Sequence, residues 1–329
     1  MENPSNTASG ARSAILHVAF CVDDRYVPRM GATIASIMAN NAGAHFVFHV
    51  FVFSISDENR RRVAQLEQRF GVGTMIHVID PEQFREFHHF IKSSYYSAAT
   101  FTRLVVPKVL AGVADRVVYL DADILCVGNV DELRTLDLAG KVVAAVPDAP
   151  VTMARRTKAL DMRSKLYFNA GMMLVDVAAW MAAGISEKAV EVLSSDREDL
   201  RFQDQDALNL ALEDRTLFLD NKWNHIYGLV ADLERDRRKL SLQGEAVFIH
   251  FAGSVKPWSL WTGHEATELF RTYHAMSPWG DLPLEAAPQN YKEMRMYSRF
   301  LFQRREFGNS LAWYWRYLAK KRSRARATG

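Results

Sequence analysis

The feature that most restricts the fold is an early alternation between apolar runs of two periods. Residues 15–22 form a short apolar run, and Val27, Met30, Ile34 and Ile37 follow at helical spacing. Residues 45–53 are rich in Val and Phe. Ser56 then caps a second helix, with Asp57 and Glu58 in its first turn, favourable against the helix dipole, and a buried stripe of Val63, Leu66 and Phe70. Residues 74–79 are a third strand. Repeated β-α-β with short connections requires a mostly parallel sheet covered by helices on both faces. In such sheets ligands bind beyond the carboxyl ends of the strands, so the residues that follow each strand are the ones to search.

Further along, residues 98–111 read as a helix that Pro107 kinks or ends. A strand at 116–120 runs directly into Asp121-Ala122-Asp123. More strands are expected at 141–146, 167–175, 216–219 and 246–251, and helices near 176–195, 204–213 and 264–275. Pro278, Pro283 and Pro288 punctuate a linker before two aromatic, basic stretches. The expected organisation is a disordered 1–14, a main α/β domain over 15–277 and a C-terminal helical segment over 278–329.

Two cysteines, Cys21 and Cys126, exclude a disulfide scaffold and a cysteine-rich zinc module, and read as small buried hydrophobes in a reducing compartment. Residues 1–13 lack the apolar core of a signal peptide, and the longest apolar stretch, 170–184, is broken by Asp176 and too short to span a bilayer. A cytoplasmic protein is expected, with any membrane contact peripheral. The net charge of +3 hides an asymmetry: residues 291–329 hold 11 Lys/Arg against 2 Asp/Glu, while the first 290 hold 30 against 36. An acidic body with a basic tail suggests that the tail meets something anionic.

The most informative chemistry follows the strand at 116–120. Two carboxylates two residues apart on an extended segment share a face, where they repel unless a cation neutralises them. Oxygen ligands of this kind suit Mg²⁺ or Mn²⁺, which also bind phosphate oxygens and take up the charge of a departing diphosphate. Alternatively they are solvated loop carboxylates, one of them capping a helix. Residues 248–258 deliver His250 at a strand end, followed by Gly253, Lys256 and Pro257-Trp258. His250 is either an imidazole ligand, suited to Mn²⁺, or an ordinary hydrogen-bonded histidine. Gly253 would let the backbone approach phosphate, and Lys256 would neutralise it. In Gln203-Asp204-Gln205-Asp206, Asp204 can cap the following helix, whose start also presents Gln205 and Asp206. In Asn169-Ala170-Gly171, a glycine within a strand marks either close approach or a β-bulge.

In order, these motifs run Asp23-Asp24-x-Tyr26, Arg103-Leu104, Tyr119-Leu120-Asp121-Ala122-Asp123, Asn169-Ala170-Gly171, Asp204-Gln205-Asp206, Trp223-Asn224 and His250-x-x-Gly253-x-x-Lys256-Pro257-Trp258. The series resembles glycosyltransferase family 8, above all its bacterial members that add galactose or glucose to lipopolysaccharide, over roughly residues 15–261. The resemblance implies a GT-A-type nucleotide-diphospho-sugar transferase fold, a UDP-sugar donor and Mn²⁺, with Mg²⁺ as the alternative. It implies Asp121, Asp123 and His250 as metal ligands, and Asp23, Asp24 and Tyr26 at the uracil and ribose. Arg103, Asp121, Ala122, Asp123, Asn169, Ala170, Asp204, Gln205, Gly253 and Lys256 fall on the donor side, and Asp148 on the acceptor side. The family retains configuration at the anomeric carbon. Gln205, an amide, matches the position facing that carbon, which suits a front-side route, and Asp206 is the candidate carboxylate nucleophile for the other route.

The segment 149–166, with Arg155, Arg156, Lys158, Arg163 and Lys165, meets either a phosphorylated acceptor or solvent. In the tail, Tyr291, Met294, Tyr297 and Leu301 recur at helical spacing, as do Trp313, Tyr317 and Leu318 among Arg316, Lys320, Lys321, Arg322, Arg324 and Arg326. This describes either a helix lying on an anionic membrane or aromatics packed on the body with a short basic end. No nucleic-acid module precedes the tail. The expected activity is retaining, metal-dependent hexosyl transfer to a glycan or lipid-linked glycan acceptor at the cytoplasmic face of the inner membrane. The competing readings are a haloacid-dehalogenase-type phosphatase, against which Ile124-Leu125 after the DxD stands, and a catalytically silent sugar-nucleotide-binding protein.

Overall fold

The structure is a computed structural model that describes residues 15–80, 102–195 and 197–327. The expectations for residues 1–14, and for the beginning of the helix drawn from residue 98, lie outside the described residues. The chain divides into two compact units: Met1–His225 with Gly244–His250, and Ile226–Gln243 with Phe251–Gly329. The boundary drawn at residue 278 therefore falls inside the second unit.

In the first unit, β1 (Ile15–Cys21), α1 (Val27–Asn40), β2 (His45–Val52), α2 (Asp57–Phe70) and β3 (Gly73–Val78) form the predicted alternation. Ser56 caps α2 by accepting the Asn59 N–H, and Gly71 ends it in the left-handed conformation. There follow α3 (Val106–Leu110), β4 (Arg116–Leu120), β5 (Ile124–Cys126), α4 (Glu132–Thr135), β6 (Val143–Pro147), α5 (Pro150–Ala159) and β7 (Phe168–Asp176). After these come α6 (Val177–Ala182), α7 (Ile185–Ser194), α8 (Gln203–Ala211), β8 (Thr216–Phe218) and β9 (Phe248–His250).

The main sheet has the order β3-β2-β1-β4-β7-β6-β8. β1 pairs in parallel with β2 and β4, β2 with β3, and β6 with β8, whereas β7 runs antiparallel to β4 and β6. The sheet is thus mixed and mostly parallel, as expected. From β1 the chain builds outward to β2 and β3, then returns to place β4 on the other side of β1. That reversal opens a crevice at the carboxyl ends of β1 and β4, where Asp23 and Asp121 follow their strands.

Two boundaries differ from the sequence reading. Pro107 opens α3 instead of ending a helix, because the first turn does not need the N–H that proline lacks. Gly184, left-handed at φ 60°, divides the single helix drawn over 176–195 into α6 and α7. The sheet's core face, with Val117, Tyr119, Val143, Ala145, Met173 and Val175, is buried against Leu110, Trp180, Ile185, Leu193 and Leu208. Both cysteines are free, and burial pushes the Cys126 thiol up to about 11.

The second unit contains α9 (Leu229–Glu234), α10 (Glu265–Met276), α11 (Tyr291–Gln303) and α12 (Phe307–Ala327). Asn290 caps α11 by accepting the N–H groups of Lys292 and Glu293, and Glu293 accepts the N–H of Gln289, the residue before the cap. α11 and α12 are joined where Ser298 and Ser310 each donate a hydroxyl to the other's carbonyl, both at 2.8 Å. No helix among the described residues is long and apolar enough to cross a membrane.

Candidate active site

β4 ends at Leu120, and the backbone N–H of Asp121 donates to the Gly171 carbonyl of β7 at 2.8 Å. The chain then turns through Ala122 and Asp123 into β5. The two carboxylates are therefore brought together by a turn and not, as the sequence suggested, by the alternation of an extended segment. Thr33 of α1 braces the turn by donating to the Ala122 carbonyl. β5 pairs antiparallel with β9, with His250 opposite Ile124, and this register delivers the imidazole beside Asp123. His250 Nε2 lies 3.4 Å from Asp123 Oδ1 and 4.0 Å from Asp121 Oδ2.

The first carboxylate is held in place from below. Asp121 Oδ1 accepts the Tyr119 hydroxyl at 2.6 Å and Arg103 Nη2 at 3.2 Å. Arg103 is a buried brace: it also donates to the Ala170 carbonyl, pairs through Nε with Asp204 Oδ2 at 3.1 Å, and lies over the Tyr119 ring. Burial raises the Asp204 carboxyl to about 6, with Arg103 opposing the rise. Asp204 is thus turned toward Arg103 and does not cap α8, whose N-cap is Phe202.

Two carboxylates and an imidazole, with one ligand atom from each lying within 4.8 Å of the others, suit Mn²⁺ and, through the carboxylates, Mg²⁺. The hollow also needs Gly171, because a Cβ there would lie 2.3 Å from His250 Cε1. Both readings of Asn169-Ala170-Gly171 hold: the glycine makes a close approach, and β7 carries a register shift opposite Ala145/Val146.

Beside this cluster, Gln205 is fixed through both ends of its amide. Oε1 accepts the Ala170 N–H at 3.0 Å, and Nε2 donates to Asp148 Oδ2 at 3.0 Å and to the Tyr167 hydroxyl at 3.1 Å. Asp148 Oδ2 also accepts Asn169 Nδ2 at 3.1 Å. The helix begins under backbone strain, since Gln203 has φ 22°.

Several residues sit differently from their sequence reading. Asp206 is fully buried, with both oxygens on Arg156 and with Tyr167 and Phe202 N as further donors, an arrangement that leaves a nucleophile no approach. Arg156 is correspondingly buried and not one of the exposed cations expected for the segment 149–166. Asp24 accepts from Ser56 and Asn59, and those bonds hold its carboxyl below the usual range although burial pushes the other way. Asp23 accepts the N–H groups of Arg25 and Tyr26, and Tyr26 is exposed. In the second unit, Gly253 is left-handed at φ 101° with open space where a Cβ would go, and Lys256 donates to the Phe251 carbonyl. Asn224, quoted in the motif series without a role, is fully buried and bonded to both His250 and Asn169. Its place in Trp223-Asn224 was the signal the sequence offered for it.

Comparison with known proteins places the chain in a family. Residues 17–262 match the Glycosyl transferase family 8 domain, and residues 266–321 the family 8 C-terminal domain. A lipopolysaccharide 1,3-galactosyltransferase of Salmonella typhimurium is 27% identical over 96% of this chain and 94% of its own length. A lipopolysaccharide 1,2-glucosyltransferase of Escherichia coli is 27% identical over 88% of this chain and 86% of its own. Among solved structures, the galactosyltransferase LgtC in complex with donor and acceptor sugar analogues superposes with a TM-score of 0.64 at 23% identity, over 84% of this chain and 99% of LgtC. The bifunctional glycosyltransferase WbbM gives 0.63 at 22% identity, and the match spans 52% of that longer chain.

Proposed function

Since the chain belongs to glycosyltransferase family 8, we propose that it moves galactose or glucose from a UDP-sugar to a glycan acceptor of the lipopolysaccharide-core type, with retention at the anomeric carbon. The observation that carries this reading is the cluster of Asp121, Asp123 and His250 at the carboxyl edge of the sheet, beside the fixed amide of Gln205. Family membership sets the phosphatase reading aside.

Asp121, Asp123 and His250 would hold Mn²⁺, whose chemistry when bound is neutralisation of the departing diphosphate. The chain's own residues do the rest. Tyr119 and Arg103 fix the Asp121 carboxylate, so little reorganisation is needed when the donor arrives. Gly253 and Lys256 serve the diphosphate, and Asp23, Asp24 and Tyr26 serve the nucleoside. Asp148 remains on the acceptor side and orients Gln205.

The Gln205 hydrogen bonds support the front-side route. Its NH₂ bridges to the Asp148 carboxylate, so a glutamate there would set two carboxylates about 3 Å apart, where like charges resist joint ionisation. An amide at that position keeps one carbonyl lone pair for the positive charge that develops on the sugar. With Asp206 enclosed by Arg156, no carboxylate of α8 serves as nucleophile in this proposal, and the departing phosphate takes the acceptor's proton.

Contact with an anionic membrane is assigned to α11 and α12. Phe302, Phe307, Leu311 and Trp315 are exposed there, and the first three line a cavity of about 1160 Å³ together with Lys292, Arg295, Arg299 and Lys321. Apolar side chains beside cations are the composition of an interfacial surface.

The test is UDP release from a panel of UDP-sugars with Mn²⁺, with Mg²⁺ and with excess EDTA. Slow, EDTA-sensitive release from UDP-galactose or UDP-glucose is expected. Stabilisation by UDP and Mn²⁺ without release from any donor, even with lipopolysaccharide core present, would instead support a silent binding protein. The absence of both would overturn the donor site.

A further inference from the structure

We infer that Asn224 is a positioning residue for metal binding, locking His250 as its Nδ1–H tautomer through a one-directional chain of amides that ends on Asp148. The inference rests on the reading of Asp121, Asp123 and His250 as a metal site. It concerns how the imidazole is prepared for that role.

The direction of the chain follows from one donor that cannot be reversed. The backbone N–H of Gly171 donates to Asn169 Oδ1 at 3.0 Å, so the oxygen of that amide must stand on this side. The NH₂ of Asn169 is then on the other side, where the Asp148 carboxylate accepts it at 3.1 Å. The second partner of Asn169 Oδ1 is Asn224, which must therefore present its NH₂, at 3.0 Å. Asn224 Oδ1 is left facing His250 Nδ1 at 3.0 Å. An amide oxygen only accepts, so Nδ1 carries the proton. In the neutral ring Nε2 then carries the lone pair, and it is the nitrogen 3.4 Å from Asp123.

A free imidazole divides its proton between the two nitrogens, and a ligand in the Nε2–H form cannot bind through Nε2. Ordering the tautomer in advance removes that cost. Two features of the packing support this division of labour. Asn224 is fully buried, so water does not compete for Nδ1, and Gly171, lacking a Cβ, makes room for the ring where it meets Asn224. Asp148 accepts from both Asn169 and Gln205 on the same oxygen, so one carboxylate orients the metal histidine and the amide beside the anomeric carbon.

The tautomer can be read in the metal-free full-length chain. With ¹⁵N-histidine labelling, two-bond ¹H–¹⁵N correlations distinguish Nδ1–H from Nε2–H, and loss of a signal in His250→Gln assigns it. The Nδ1–H pattern is expected; an Nε2–H or averaged pattern would overturn the proposal, and this readout does not depend on Asn224 variants folding. Mn²⁺ affinity, measured by electron paramagnetic resonance, gives the second readout. Asn224→Ala should weaken Mn²⁺ roughly 10–100-fold, the usual effect of losing such an outer partner, and Asn224→Asp, which keeps an oxygen for Nδ1–H, should lose less. Unchanged affinity in Asn224→Ala, where His250→Gln does weaken Mn²⁺, would overturn the inference alone. If Asp121→Ala and His250→Gln both left Mn²⁺ binding intact, the metal-site reading would fail and this inference with it.

Discussion

Around Asp121 and Asp123 the ionic groups are enclosed and each is held by named neighbours, whereas on α11 and α12 cations and aromatics stand together at the surface. Arg103 is buried and joins Asp121, Asp204 and the Ala170 carbonyl. Arg316, by contrast, lies over the Trp313 ring, and Lys321 and Arg295 lie near the face of Tyr317. The difference teaches what kind of partner each region is built for. An enclosed network recognises one geometry and fails when a single member is removed. A surface of independent cations and apolar side chains has no single member on which the rest depend, so substitutions there act by increments.

The largest expected effect is therefore a single substitution in the enclosed region. Asp121→Ala should lower metal-dependent transfer by roughly 10²–10³-fold or more, as for loss of one preorganised electrostatic group, while circular dichroism shows the fold retained. Equal turnover with the wild-type chain, measured as EDTA-sensitive UDP release, would break the comparison at its first term.

The second effect separates two ionic networks that meet on the same helix. Asp204 and Asp206 are neighbours on α8, yet Asp206 belongs to Arg156 and not to the Asp121 cluster. Arg156→Met leaves a buried carboxylate uncompensated and should cost about 3–5 kcal/mol, read as a lowered midpoint in urea. The double variant Arg156→Met/Asp206→Leu should recover part of that loss. If Arg156→Met proved as stable as wild type, the pair would not be the anchor its geometry suggests.

These two arginines also show how much of the site could be read from sequence. The strands and the mostly parallel sheet follow from apolar periodicity, because each run must bury a face, and the motif order pointed to Asp121, Asp123 and His250, which the structure brings together. Neither Arg103 nor Arg156 could be given its partner, since a salt bridge across 101 or 50 positions leaves no local pattern. Asp206 looked like a nucleophile because a motif records residue types and not the direction of a side chain one position further around the helix. Asn224 escaped a role for the same reason: its hydrogen bonds reach 26 and 55 positions away. The tail was legible as composition, but not which of its aromatics pack inward. Tyr297 packs on Trp261 and Trp313, whereas Phe307 and Trp315 remain exposed.

The third prediction tests the surface half of the comparison. Phe307→Ser, Leu311→Ser and Trp315→Ser together should reduce binding to vesicles containing anionic phospholipid by about tenfold, with each single change giving a small part. Sedimentation with vesicles at two salt concentrations would measure it. Wild-type binding that ignores both the triple variant and the salt would remove the membrane assignment and leave the enclosed site untouched.

The smallest effect lies in a second enclosed polar group, on the edge half of the main sheet, which sharpens the rule by carrying no charge. His17 Nδ1 is 2.9 Å from His49 Nε2, and His49 Nδ1 is 3.0 Å from His77 Nε2, with the rings stacked across β1, β2 and β3. Burial, and then the neighbouring His17 and His77, depress His49 to about 3. Asp115 acts in the opposite sense on His17, and the Phe51 ring stacks on His77. Because the folded state keeps His49 neutral while the unfolded chain takes up a proton near 6.5, its contribution is present above pH 6.5 and is lost as pH falls toward 3. At pH 5 the loss is about 2 kcal/mol from His49 alone. His49→Phe keeps a stacking ring without the titration, so its melting temperature should fall less steeply than wild type between pH 6.5 and 4.5. Parallel curves for the two chains would mean that the acid sensitivity arises elsewhere, and that enclosure at this stack does not govern which protonation state the fold selects.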